Sequence, residues 1–366
     1  MVWKCEKCNR EWYYPIEKCI FCGSNLNSIP VTAFTVKGIT EIFVPSVEHD
    51  SVPYYVLLLE DDRGNLHIKK SFEKYNIGDL IESGSSKEEQ LKTIGVVGTG
   101  IMGKGITQFF AQAGYSVIIY SRTEDGASKA IKEIEKSLLK ITNPQEKENT
   151  SDRIEPTIDM SKLADADLII ESVIEDINIK KQLFKELSAV CPQNTIFTTN
   201  TSSLSITELS KSVSNPGRFV GMHFFNPVSK MHLAEVVYGT DTSEQTVEYV
   251  TDLLKKLGKT PIRVKDSPGF IVNRIVMPLI NEAAFLYQEG VNSTDIDTAI
   301  KLGLNHPMGP LALADLIGLD TCVSIMSTLN EKFDDEKYVP SPIFYKMIGE
   351  GHLGKKTGKG FYEYKN

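Results

Sequence analysis

The segment Thr93-Ile94-Gly95-Val96-Val97-Gly98-Thr99-Gly100-Ile101-Met102-Gly103 constrains the fold more than any other part of this 366-residue chain. Its first five residues read as a compact apolar strand. A strand running straight into G-x-G-x-x-G and then into a helical pattern requires a tight strand–turn–helix junction. Each glycine has its own steric reason: Gly98 permits the turn, Gly100 lets backbone approach a pyrophosphate, and Gly103 lets the helix pack against the strand. Thr99, Ile101 and Met102 complete the loop. The helix N-terminus behind it offers free N–H groups and partial positive charge to phosphate. A bound dinucleotide is the expectation.

The pattern after this junction keeps alternating. Apolar strands are expected at Ser116–Tyr120, Leu168–Ser172, Thr195–Thr199 and Phe219–Met222, with helices at Gly105–Ala113, Ala127–Ile141 and Ile179–Ala189. Such alternation predicts a doubly wound parallel sheet. Past Ser267-Pro268-Gly269 the strand signals fade into successive helices, broken at Gly290 and around Asn305 to Pro310. The end of the second strand bears on the nucleotide. An acidic residue there would suit the 2′-hydroxyl of NAD, but the chain reads Tyr120-Ser121-Arg122. A hydroxyl and a guanidinium suit a 2′-phosphate better, so NADP(H) is favoured over NAD, unless Glu124 or Asp125 bends back to the ribose.

Upstream, four of the six cysteines lie in the first 22 residues. Cys5-x2-Cys8 and Cys19-x2-Cys22 form two knuckles able to close a tetrahedron of thiolates on a structural zinc, with iron as the minor alternative. Short strands at Val31–Val36, Thr40–Val44, Tyr54–Glu60, Leu66–Phe72 and Asp79–Ile81 then predict a small OB-like β-barrel. The polar run Ser83–Gln90 reads as a linker. Net charge is −8 and the isoelectric point about 5.4, which disfavours a nucleic-acid binder. No apolar run is long enough to span a bilayer, and the N-terminus lacks signal-peptide features, so a cytoplasmic protein is expected.

Two resemblances follow from the motifs. Residues 3–82, through Cys5, Cys8, Cys19, Cys22-Gly23-Ser24 and Pro53-Tyr54-Tyr55-Val56-Leu57-Leu58-Leu59-Glu60, resemble the zinc-ribbon/OB-fold family called domain of unknown function 35. That likeness implies a scaffolding or acyl-CoA-handing role beside thiolase-type enzymes. Residues 92–364 resemble the short-chain 3-hydroxyacyl-CoA dehydrogenases, especially the bacterial 3-hydroxybutyryl-CoA enzymes. The carrying motifs are the glycine loop, Glu171-x-x-x-Glu175, Asn200-Thr201-Ser202-Ser203-Leu204, His223-Phe224-Phe225-Asn226-Pro227, Pro268-Gly269-Phe270-Ile271-Val272-Asn273-Arg274, His306-Pro307-Met308-Gly309-Pro310 and Gly354 to Tyr362.

Oxidising a secondary alcohol needs a base for the hydroxyl proton while hydride leaves for a nicotinamide, and histidine suits that task near neutral pH. His223 follows an apolar strand, where open α/β sheets place their ligands. The resemblance pairs it with Glu235 as an orienting acid and implies that Ser202 and Asn273 hold the substrate oxygen. It also implies that Glu175, Lys180, Asn200, Ser202 and Lys356 contact the nucleotide, and that the chain forms a homodimer. The remaining histidines read as surface or structural residues, and Cys191 and Cys322 as ordinary thiols. The segment Thr142–Arg153 looks shorter than in the family, so the CoA nucleotide would meet Lys140, Lys147 or the N-terminal barrel.

The expected architecture is therefore an α/β Rossmann doubly wound domain plus an all-α C-terminal domain, preceded by a zinc ribbon and a small OB-like β-barrel. The expected bounds are 1–29 ribbon, 30–82 barrel, 83–91 linker, 92–270 NAD(P)-binding domain and 271–366 helical domain. The expected activity interconverts (S)-3-hydroxyacyl-CoA, such as 3-hydroxybutyryl-CoA, with 3-oxoacyl-CoA. The alternatives are an acyl-CoA-binding scaffold and a lysine-dependent dehydrogenase of the 3-hydroxyisobutyrate type. The His223/Glu235 pair argues against the latter.

Overall fold

Residues 2–5, 7–8, 11–12, 18–19, 21–29, 33–42, 54–61, 64–71, 74–82, 91–139 and 144–364 are described by a computed structural model. The chain divides into two compact units, Met1–Leu91 and Lys92–Asn366. The expected linker Ser83–Gln90 and Lys140 lie outside the described residues.

In the first unit, β1 (Val2–Cys5) pairs antiparallel with β2 (Glu11–Trp12) and β3 (Leu26–Ile29). A second sheet contains β4 (Ala33–Ile42), β5 (Tyr54–Asp61), β6 (Leu66–Ser71) and β7 (Leu80–Glu82), in the order β6-β5-β4-β7. Sequence punctuation at Gly38 suggests two strands there; the structure has one, with a bulge between Val36 and Gly38. A bulge lets a long strand bend without ending, which suits a small curved sheet of OB-like type. Val36, Leu57, Leu59 and Ile81 are its buried core. His67, which reads as a surface histidine, lies 3.0 Å from the buried Asp61 carboxylate.

The second unit opens with β8 (Thr93–Val97), α1 (Ile101–Gln112), β9 (Ser116–Tyr120), α2 (Glu124–Leu138), α3 (Pro144–Ser151), β10 (Ile154–Thr157) and β11 (Leu168–Glu171). It continues through α4 (Ile177–Val190), β12 (Ile196–Thr199), α5 (Ile206–Ser210), β13 (Phe219–Phe224), β14 (Leu233–Tyr238), α6 (Glu244–Lys256) and β15 (Thr260–Lys265). One eight-stranded sheet results, ordered β10-β9-β8-β11-β12-β13-β14-β15. Strands β9 and β11 flank β8 on opposite sides, so the strand order reverses at the end of β8, where the glycine loop begins. Crevices at such switch points are where open α/β sheets bind ligands. Strands buried on both faces read as unbroken apolar runs, and the residues of β11, β12 and β13 are all buried.

Three strands escape that signal. Edge strand β10 contains Pro156, which only an edge tolerates easily, and β15 alternates polar with apolar at the other edge. Strand β14 reverses the sheet's direction by pairing antiparallel with β13. Five helices complete the chain: α7 (Val272–Gln288), α8 (Ser293–Gly303), α9 (Pro310–Ile317), α10 (Leu319–Phe333) and α11 (Pro342–Gly349). They close over a core that includes Met277, Ile280, Leu311, Cys322, Met326, Leu329 and Phe344. Among the described residues no single helix is long and apolar enough to cross a membrane.

Candidate active site

The antiparallel turn of β14 sets the central geometry. His223 on β13 stands directly opposite Glu235 on β14, and cross-strand partners share a face. Twelve residues of sequence thus become 2.8 Å between His223 Nδ1 and Glu235 Oε2. Both residues are buried, 6% and 1% exposed. The other carboxylate oxygen, Oε1, accepts the amides of Ile271 at 3.0 Å and Val272 at 3.1 Å. These amides open α7, whose N-terminus carries partial positive charge. A carboxylate only accepts, so Nδ1 carries a hydrogen, and in the neutral imidazole this leaves the lone pair on Nε2. The rings of Phe225 and Phe270 flank the imidazole, with centroids 4.7 and 5.6 Å away.

Phe270 has φ of +51°. The left-handed region is a true outlier for a bulky side chain. The reversal there turns the chain so that the next two amides meet Glu235. Sequence reading passes over Phe270, whose only signal is its place after Pro268-Gly269.

The other expected residues gather at the ends of β11, β12 and β13. Asn200 Oδ1 accepts the Phe224 amide at 2.8 Å, tying the end of β12 to the end of β13. Glu175 Oε1 receives the Thr201 hydroxyl at 2.6 Å and the amides of Ser202 and Ser203 at 2.8 and 3.2 Å. Asn273 Nδ2 donates to the Ser202 carbonyl at 3.2 Å. Lys180 lies behind this turn, its ammonium 2.6 Å from Glu171 and 3.4 Å from Glu175. Lys356 is held elsewhere, in the C-terminal segment, where both oxygens of Asp320 accept from its ammonium.

The glycine loop fits a pyrophosphate. A Cβ on Gly98, at φ +120°, would lie 2.3 Å from the Ser172 carbonyl, and one on Gly103 would lie 2.1 Å from the Gly98 carbonyl. Gly103 therefore packs on the loop itself, inside the first turn of α1. A Cβ on Gly100 would meet open space, and no side chain caps α1. The loop thus offers uncapped amides beside a glycine facing a free volume, as an approaching phosphate requires.

At the end of β9, Ser121 is buried and its Oγ accepts the Thr123 amide at 3.3 Å. A Cβ on Gly126 would lie 2.5 Å from Ser121 Oγ, 3.0 Å from Thr123 Oγ1 and 3.6 Å from Thr99 Oγ1, so three hydroxyls converge at the start of α2. Arg122 is exposed, and Asp125 is engaged with Lys129 at 2.7 Å. Thr123, which caps α2 by accepting from the Gly126 amide, is the addition made by structure here.

In the first unit, Cys5, Cys8, Cys19 and Cys22 bring their sulfurs within 4.8 Å of one another. The Cys5–Cys22 and Cys8–Cys19 sulfur pairs are 3.3 and 3.5 Å apart. The Ser24 hydroxyl and amide draw the Cys22 thiol down to about 6. Four converging soft donors, one of them readily deprotonated, fit a tetrahedral zinc.

Comparison with known proteins bears on the second unit. Residues 93–267 match the family described as 3-hydroxyacyl-CoA dehydrogenase, NAD binding domain, and residues 269–364 match the 3-hydroxyacyl-CoA dehydrogenase C-terminal domain. A 3-hydroxybutyryl-CoA dehydrogenase of Clostridioides difficile is 47% identical over 277 residues, covering 74% of this chain and 99% of that one. The human mitochondrial hydroxyacyl-coenzyme A dehydrogenase is 41% identical, covering 77% of this chain and 94% of its own. The crystal structure of an (S)-3-hydroxybutyryl-CoA dehydrogenase from Ralstonia eutropha superposes with a TM-score of 0.72 at 41% identity, covering 75% of this chain and all of that one.

Proposed function

The chain belongs to the 3-hydroxyacyl-CoA dehydrogenase family, and from that premise we propose that His223 is the base of its oxidoreductase reaction, with Glu235 as the acid that orients it. The observation that carries this reading is the 2.8 Å His223–Glu235 contact, with the second carboxylate oxygen held by two helix-terminal amides. Bound nicotinamide supplies the hydride acceptor. His223 Nε2 removes the hydroxyl proton of a 3-hydroxyacyl thioester, and Glu235 stabilises the imidazolium that forms. The Ser202 hydroxyl and the Asn273 amide hold the oxygen that passes from alcohol to ketone. In the reverse direction the imidazolium returns the proton.

Gly98 to Gly103 and Asn200 would hold the nucleotide. NADP(H) is favoured over NAD(H), because the Ser121 and Thr123 hydroxyls and the Arg122 guanidinium suit a 2′-phosphate. Short (S)-3-hydroxyacyl chains such as 3-hydroxybutyryl-CoA are the proposed substrates, in line with the names of the relatives. The four N-terminal cysteines hold a structural zinc, and their module docks a thiolase-type enzyme. Exposed Ile275, Leu302 and Leu304 on the helical part suit a homodimer contact.

The test is absorbance at 340 nm with acetoacetyl-CoA and either NADPH or NADH. Oxidation of at least one cofactor, with kcat/KM higher for NADPH, is expected. Oxidation of neither would leave the acyl-CoA-binding scaffold as the reading. A strong preference for NADH would withdraw the assignment of the 2′-phosphate site alone.

A further inference from the structure

Lys259 is a buried cation that the proposed reaction does not use. It stands just before β15 and is 8% exposed. Burying an ammonium is costly unless its donors are satisfied. Its partners here are two carbonyls and a ring. The carbonyls of Val228 and Met231 both accept from it, the second at 2.7 Å, and its charge lies 4.3 Å from the centroid of the Phe109 ring.

Those two carbonyls belong to the connection between β13 and β14, the strands that carry His223 and Glu235. Within it, the Lys230 and Met231 amides both donate to the Pro227 carbonyl at 3.0 Å, forming a single turn. Asn226, Pro227 and residues 229–231 are exposed, whereas Val228 is buried. Val228 packs on α1 where a glycine makes room, since a Cβ on Gly105 would lie 3.1 Å from Val228 Cγ2. Gly105 and Phe109 are four residues apart on one face of α1. The turn therefore meets this helix twice, directly through Val228 and again through the Lys259 ammonium over Phe109. The same helix opens at the glycine loop.

The strand pairing places the dyad beside this turn. Only the pair Phe224–Ala234 separates His223–Glu235 from the connection. The first residue of the connection, Phe225, sets its ring against the imidazole. At the other end, the Thr260 amide next to Lys259 donates to the His232 carbonyl at 2.8 Å. A turn without its tether would let this end of the ladder fray, and the imidazole with it.

We infer that Lys259 is a positioning residue for the His223–Glu235 pair: its ammonium latches the β13–β14 connection to α1 and so fixes the base relative to the glycine loop. This role rests on the dehydrogenase reading, in which His223 is the base, and deepens it. Errors of about 1 Å in the placement of a reacting group can cost 100-fold in rate.

Three variants of the full-length chain test the latch. Lys259→Met keeps the stem and removes the donors, Lys259→Gln returns an NH2, and Val228→Ala weakens the other contact while leaving the ammonium in place. In Lys259→Met, kcat with acetoacetyl-CoA should fall about 10- to 100-fold. The Kd for the reduced nucleotide that the parent prefers, NADPH or NADH, should stay within threefold by fluorescence titration. Lys259→Gln should regain at least fivefold of the lost kcat, and Val228→Ala should lose 3- to 10-fold. The Lys230 and Met231 amides should exchange hydrogen at least tenfold faster in Lys259→Met and in Val228→Ala, with residues 276–349 unchanged. Faster exchange with kcat within twofold of the parent would leave Lys259 a tether of the fold alone and overturn its positioning role. Lost kcat with unchanged exchange at 230 and 231 would overturn it as well, because the loss would not pass through the turn. Where Lys259→Met does not fold, Val228→Ala decides by the same two readings. A parent chain that turns over no acetoacetyl-CoA with either nucleotide would sink the dehydrogenase reading instead, and the latch would then stand or fall on exchange.

Discussion

Replacing Glu235 by glutamine tests the dyad most sharply, because the structure dictates which way the new amide must face. The Ile271 and Val272 amides both donate to Oε1, so the glutamine carbonyl must take that position or leave two buried donors unpaired. Each orphaned donor costs about 1–3 kcal/mol, enough to settle the orientation. The glutamine NH2 then faces His223 Nδ1, where Glu235 Oε2 stood at 2.8 Å. A donor there demands an acceptor, so the imidazole hydrogen moves to Nε2 and the base loses its lone pair. An orienting acid replaced by its amide in a catalytic triad costs about 10⁴ in kcat for this reason. At about 1.4 kcal/mol per tenfold, that corresponds to some 5.5 kcal/mol of barrier. We expect a loss of 10³- to 10⁴-fold in kcat for oxidation of 3-hydroxybutyryl-CoA, followed at 340 nm under single-turnover conditions. Thermal stability should fall by only a few degrees, since the hydrogen-bond count is kept. A Glu235→Gln enzyme within tenfold of the parent would show that tautomer control by this carboxylate is not needed, and the role given to His223 would go with it.

Four other outcomes follow from the same geometry. Gly98→Ala should unfold or strongly destabilise the second unit, since its Cβ would sit 2.3 Å from a backbone oxygen, whereas Gly100→Ala should leave Tm nearly unchanged and weaken nucleotide binding about tenfold, as measured by fluorescence titration. Ser121→Asp should shift the kcat/KM ratio toward NADH by at least tenfold, because a carboxylate accepts from a 2′-hydroxyl and repels a 2′-phosphate. Chelation should remove one zinc per chain, measured by mass spectrometry, and unfold the first unit while leaving kcat of the second within twofold. Burial pushes the Cys191 and Cys322 thiols up to about 12, so both stay protonated from neutral pH to beyond pH 9 and should resist iodoacetamide at pH 8 until denaturant is added.

Much of the second unit was legible because its signals are local. The strand, glycine turn and helix of Thr93–Gln112 lie in twenty consecutive residues, and fully buried parallel strands declare themselves as apolar runs. The misses were the two edges and the antiparallel strand β14 beside one of them. Strand β10 is four residues long with a proline, β15 alternates, and neither looks like a sheet's interior. In the first unit, Gly38 punctuates the sequence like a break, but a bulge absorbs it within one strand. Lys259 shows the limit for side chains. Read alone it is a solvated charge, yet it is 8% exposed, and its ammonium donates to the Val228 and Met231 carbonyls and lies over the Phe109 ring. Burial lowers its pKa. Its carbonyl partners lie 31 and 28 residues away and the ring much farther, and no spacing rule reaches them.

The same distinction explains why a list of candidate residues read from sequence leaves their roles undecided. Residue types and order bring His223, Glu235, Ser202, Asn273 and Glu175 together, but which atom faces which depends on β14 reversing direction and on Phe270 adopting a left-handed backbone. Reversal puts Glu235 directly across from His223. The left-handed residue turns α7 so that its first amides occupy Glu235 and its second side chain, Asn273, reaches Ser202. One helix N-terminus thereby braces both the His223–Glu235 pair and the Ser202 turn. A substitution that straightens Phe270 should therefore disturb the dyad and the Ser202 turn together. Phe270→Leu, which removes the ring but not the strain, and Phe270→Gly, which removes both, separate the two contributions: a larger recovery of hydrogen-exchange protection at 271–272 in the glycine variant would assign the coupling to the backbone, and equal loss in both would assign it to the ring.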